Sequence, residues 1–138
     1  MDLTAKTLDF LSFLKKKLFF DLIQVFESFF ARIYLILILF FNFLSWILVG
    51  FINYKAQGNL LILHYDVDFG VDLLGLASKL YIIPLLGLIF FLLNSVLLSV
   101  FLNFSEFKFL AHLILAATLL INLLLFASLG PVYLVNFR

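Results

Sequence analysis

The run His64-Tyr65-Asp66-Val67-Asp68-Phe69-Gly70-Val71-Asp72 gathers one imidazole and three carboxylates, the densest polar constellation in the chain. Carboxylate oxygens suit Ca²⁺ or Mg²⁺, and an added imidazole tilts the preference toward Zn²⁺ or Mn²⁺. His64, Asp66, Asp68 and Asp72 are therefore candidate metal ligands. Their spacing is not that of an EF-hand, whose loop needs a Gly at its sixth position and a Glu at its twelfth. The simpler expectation is a solvated turn whose carboxylates bond loop amides and cap helices. If extended, the segment alternates, with His64, Asp66 and Asp68 on one side and Tyr65, Val67 and Phe69 on the other.

A second set is polar without being ionisable. Asn42, Asn94 and Asn122 each sit near the middle of a long apolar stretch. An unpaired amide in hydrocarbon is costly, whereas amides that bond between helices contribute about 0.6–2 kcal/mol each. The three are expected to act as interhelical glue, within the chain or between subunits. A polar translocation path is the alternative, disfavoured because no ionisable group accompanies the amides at that depth. Ser95 and Ser99, and the patch Ala116, Ala117 and Thr118, predict close helix approach. His112 lies one turn inside the third stretch and is expected to be structural or interfacial.

Other chemistry is missing from the pattern. The sequence holds no HExxH, no Gly-x-Ser-x-Gly, no phosphate-cradling glycine-rich loop and no cysteine. No cofactor is called for. The lysine cluster Lys15, Lys16 and Lys17 is brief and adjoins an apolar segment, unlike the basic-aromatic surface of a nucleic-acid binder.

The elements that carry these residues follow from hydropathy. Ile33–Tyr54, Leu80–Phe104 and Phe109–Leu129 contain no Asp, Glu, Lys or Arg, and a hydrocarbon core about 30 Å thick takes about 20 helical residues. With 66% hydrophobic and 12% charged residues, and a mean hydropathy of +1.25, the chain lacks the charged faces that a soluble three-helix core needs. The fold class is an all-α integral membrane protein, with three transmembrane helices preceded by an N-terminal amphipathic interfacial helix. The expected spans are 33–54, 80–104 and 109–129, joined by an extracytoplasmic loop at 55–79 and a short turn at Asn103–Lys108. The loop reads as an extended or turn-rich cap, too small for a stable sheet by itself. Ser78 is the expected N-cap of the second span, Pro84 falls near its start, and Gly130-Pro131 is expected to end the third.

Residues 1–32 place Leu11, Leu14, Leu18, Leu22, Val25 and Phe29 three or four apart, one face of a helix. With Lys15, Lys16 and Lys17 near headgroups, that helix is expected on the cytoplasmic membrane surface, with packing on its own domain or on a subunit as the alternative. Asp2, Asp9, Asp21 and Glu27 make the segment a poor signal peptide, so the first span reads as an uncleaved signal anchor. Placing the N-terminus inside keeps Lys6, Lys15, Lys16, Lys17, Arg32 and Lys108 on the cytoplasmic side and Lys55, Lys79 and Arg138 outside.

From Asn59 to Asn94 the order His64, Gly70, Asp72, Lys79, Pro84 resembles a bacterial membrane domain of unknown function found in immunity proteins of the sporulation-delaying toxin system and in uncharacterised relatives. Ile62 stands where that domain usually has Pro. The resemblance implies a bacterial cytoplasmic membrane location and an extracytoplasmic first loop, and it carries no activity with it. The functional expectation is a non-enzymatic structural, assembly or protective component. Its partners would be the lipid bilayer and a homo-oligomer or larger membrane complex, with no nucleic acid. A transport or channel subunit using the asparagines, and a metal-binding sensor or enzyme using the 64–72 loop, are the alternatives.

Overall fold

The computed structural model describes residues 16–17, 20–66 and 70–137, and for 64–66 and 70–72 the backbone alone. Three helices, α1 (Phe29–Ala56), α2 (Ile82–Phe101) and α3 (Phe107–Phe137), form the body of the protein. Two strands, β1 (Leu60–Asp66) and β2 (Gly70–Leu76), lie between α1 and α2. All three helical segments are long and apolar enough to cross a membrane. Large apolar side chains such as Phe29, Ile36, Phe43, Leu93, Leu113 and Leu124 point outward along them, which in water would be untenable and in lipid is the required arrangement. The chain is a helical membrane protein of three spans.

The interior is stacked in three layers. At one end Ala31 and Ile38 of α1, Leu98 of α2, and Ala111 and Leu115 of α3 close around Val25 of the N-terminal segment. At the other end Val49, Ile52 and Ala56 meet Leu61 of β1, Ala77, Leu80 and Leu129. Between them lie the buried polar side chains Asn42, Ser45, Ser95, Thr118 and Asn122. From Ile38 onward the buried positions of α1, Ile38, Asn42, Ser45, Val49, Ile52 and Ala56, alternate steps of four and three, the seam spacing of packed helices.

Several expectations are corrected. The N-terminal segment is helical over 20–27 but breaks at Ser28, whose backbone is extended, so α1 starts at Phe29, four residues before Ile33. Phe29 consequently leaves the predicted stripe and faces outward at 79% exposure. The break is filled by Arg32, whose guanidinium donates to the Phe26 carbonyl at 3.1 Å and the Glu27 carbonyl at 2.6 Å, a cation on the otherwise orphaned end of the preceding helix. Val25 is buried against the bundle while Phe20 and Ile23 are exposed, so this segment packs on its own domain along one edge.

Gly130-Pro131 does not end α3, which runs six residues further to Phe137. The extension is held by contacts that the local sequence does not reveal. Asn136 bonds the backbone of Ile62 twice, and the Tyr133 ring and hydroxyl receive Lys55. Ser78 is not an N-cap; it lies inside a 3-10 turn, Ala77–Tyr81, that feeds into α2, where the Ile82 N–H bonds the Leu80 and Lys79 carbonyls. The 55–79 connection carries an antiparallel hairpin, with Leu60 opposite Leu76, Leu61 opposite Gly75 and Ile62 opposite Leu74, and its register shifts on either side of His64. It is not alone, because Leu61 is buried in the same cluster as Ile52, Ala56 and Leu129. Gln57 and Gly58 end α1 with φ of 50° and 84°, and the second value is one that glycine adopts without strain.

Candidate functional site

The polar layer is built from all three helices. The Asn42 side-chain N–H₂ donates to the Pro84 carbonyl at 2.8 Å and to Asn122 Oδ1 at 3.2 Å. Asn42 Oδ1 accepts from the Trp46 indole at 3.2 Å. Asn122 in turn donates to the Thr118 carbonyl at 3.0 Å and to the Gly87 carbonyl at 3.4 Å. Asn94 joins through the Thr118 hydroxyl at 2.7 Å, and that hydroxyl donates to Ile114 O. Asn42 and Asn122 therefore meet directly, and Asn94 reaches the same lattice by way of Thr118. Among the described residues no buried side-chain nitrogen or oxygen lacks a partner.

Gly87 makes this contact possible. A Cβ there would sit 2.5 Å from Asn122 Oδ1 and 2.7 Å from Asn42 Nδ2. The missing side chain lets both amides lie against the α2 backbone and use its carbonyls. Thr118, Trp46 and Gly87 were not singled out as amide partners by sequence reasoning. The available signal was spacing: Trp46 follows Asn42 by four, Thr118 precedes Asn122 by four, and residues four apart share a helix face.

The hairpin end is fastened at two points. Ile62 N–H donates to Asn136 Oδ1 and the Asn136 amide donates back to Ile62 O, both at 2.8 Å. The side-chain amide thus takes the place of a neighbouring strand on the outer edge of β1. Lys55 Nζ bonds the Tyr133 hydroxyl at 3.0 Å and lies 4.9, 5.0 and 5.8 Å from the ring centres of Tyr133, Phe137 and Phe51. That aromatic surround gives the ammonium a cation–π environment.

Two apolar grooves flank the hairpin base. One, of about 650 Å³, is lined by Trp46, Leu63, Leu73, Ser78, Lys79, Tyr81 and the first turn of α2. The other, of about 380 Å³, lies between β1, α2 and the end of α3, against Pro131 and Val132. The Trp46 and Tyr81 rings approach at 5.8 Å between centres.

The remaining predicted residues fall as follows. The backbones of His64, Asp66 and Asp72 lie in the hairpin, with His64 paired to Leu73 after a register shift. The side chains of these three residues, and Asp68 altogether, lie outside the described residues, as does Lys15. Lys16 and Lys17 are helical and exposed. His112 stacks on Phe30 at 4.1 Å, with Tyr34 edge-on at 5.9 Å.

Fold and site together define a small three-span helical membrane protein with a hydrogen-bonded amide layer at mid-bundle. No protein-family model, curated protein or solved structure matches the chain.

Proposed function

We propose that the protein is a non-enzymatic membrane component, structural, assembly-related or protective, whose bundle holds the hairpin and the N-terminal helix as contact surfaces. The observation that carries this reading is the saturated amide layer. Both donors of Asn42 and both of Asn122 are spent on protein acceptors, which leaves neither amide a free N–H for a passing solute. A buried, hydrogen-bonded middle suits a scaffold better than a conducting path.

The orientation proposed with it puts the N-terminus in the cytoplasm. Arg32 at the start of α1 and Lys108 at the start of α3 share one end of the bundle, while Lys55 and Lys79 share the other. Six of the nine cations then lie inside. The hairpin faces outward on this reading.

The test exploits the lack of native cysteine. Asn42→Cys, Asn94→Cys and Asn122→Cys should resist a water-soluble thiol reagent in intact membranes, while Gln57→Cys, beyond the end of α1, should react. Labelling of any of the three interior cysteines in folded protein would overturn the scaffold reading in favour of a hydrated path.

A further inference from the structure

The larger groove beside the hairpin is apolar along its length, with one cationic residue, the exposed Lys79, among those that line it. Trp46, Leu73, Ile82 and Leu85 form an apolar wall, and Lys79 with Ser78 stands at the end next to the connection between hairpin and α2. Leu73, Ile82 and Leu85 are 51%, 58% and 46% exposed, so the wall opens sideways to the medium around the spans. That medium is lipid. Its volume of about 650 Å³ falls within the 300–1,000 Å³ typical of small-ligand sites.

We propose that this groove seats one anionic phospholipid from the leaflet that the hairpin faces. An acyl chain lies along Trp46, Leu73, Ile82 and Leu85, and the phosphate meets the Lys79 ammonium. Charge selects this occupant over a second copy of the chain, because none of α1, α2 and α3 carries an Asp or Glu that could meet the lysine if laid in the groove. A phospholipid places its negative group at the level of the membrane surface, where a lysine at a span end places its own. The inference rests on the membrane location and is independent of the scaffold reading.

The chain supplies its own reporter, since Trp46 is its one tryptophan and lines the groove. The full chain is reconstituted in phosphatidylcholine vesicles containing increasing fractions of phosphatidylglycerol or phosphatidylcholine brominated on the acyl chain, and Trp46 fluorescence is followed. Half-quenching is expected at about a fivefold lower mole fraction of the brominated anionic lipid, the size of effect that one lysine produces near an anionic surface. Lys79→Gln should make the two lipids equal. Leu85→Phe, which fills the groove and keeps the lysine, should also remove the preference, with circular dichroism verifying that each variant is folded. Equal quenching in the unmodified chain, or a preference that survives either substitution, overturns the proposal and leaves Lys79 an ordinary interfacial anchor. Absence of quenching by both lipids also overturns it, since protein would then cover the groove.

Discussion

Gly87→Ala is the substitution whose outcome bears most directly on the amide layer. The new methyl carbon would lie 2.5 Å from Asn122 Oδ1, 2.7 Å from Asn42 Nδ2 and 3.3 Å from Asn122 Cγ, where non-bonded heavy atoms prefer about 3.5–4 Å. Moving the amides aside breaks the bonds from Asn42 to Pro84 O and from Asn122 to Gly87 O. At the membrane average of about 0.6 kcal/mol each, that loss is about 1.2 kcal/mol. Overpacking adds about 1–3 kcal/mol, and the better helix propensity of alanine returns about 1 kcal/mol. The net expectation is a loss of about 1–3 kcal/mol. Unfolding in mixed micelles of rising sodium dodecyl sulfate fraction measures it, with helicity by circular dichroism and Trp46 emission as two probes. Trp46 is a suitable second probe because its indole donates to Asn42. In an Asn122→Ala background most of the Gly87→Ala cost should disappear, since Asn42 can then swing into the vacated space. A Gly87→Ala protein as stable as the unmodified one, or additive effects in the double variant, would refute the close-approach reasoning.

Three further outcomes are expected. Asn136→Leu strips both bonds from the Ile62 backbone, and the Ile62 amide should exchange about 5–150-fold faster, the equivalent of about 1–3 kcal/mol for unpaired backbone groups; unchanged exchange would mean that Asn136 does not hold the strand. Arg32→Gln removes the guanidinium from the Phe26 and Glu27 carbonyls, so a spin label at Gln24 should become more mobile, and an unaltered spectrum would count against the joint. Pro131→Ala restores an N–H in the interior of α3 and should shift unfolding to a higher detergent fraction, whereas a shift to a lower fraction would show that the proline ring itself supports the α3 end.

The hairpin and the end of α3 show where sequence reasoning stopped. Only the middle of the loop, Leu61–Phe69, was legible as a segment that alternates if extended, the pairing with 70–76 was not, and a two-stranded ribbon is marginal in isolation. Its stability comes from Leu61 entering the core cluster and from Asn136 bonding Ile62 across a separation of 74 residues. The same contacts carry α3 through Pro131. Gly-Pro reads locally as a stop because it weakens the helix by an amount that local sequence does not recover. Here distant partners for Tyr133 and Asn136 recover it.

The three spans were fixed by the sequence alone, because solvation of some 20 uncharged residues outweighs any local preference and lipid leaves a helix as the only way to satisfy their backbones. The asparagines were legible as polar groups needing partners for the same reason. Which partners they take was decided only in three dimensions. An apolar helix carries little amphipathic signal when lipid and core are equally oily, so its rotation about its own axis is not written in hydropathy. Packing sets that rotation: the three- and four-residue spacing of Ile38, Asn42, Ser45, Val49, Ile52 and Ala56 becomes a seam when α3 and the gap at Gly87 meet it.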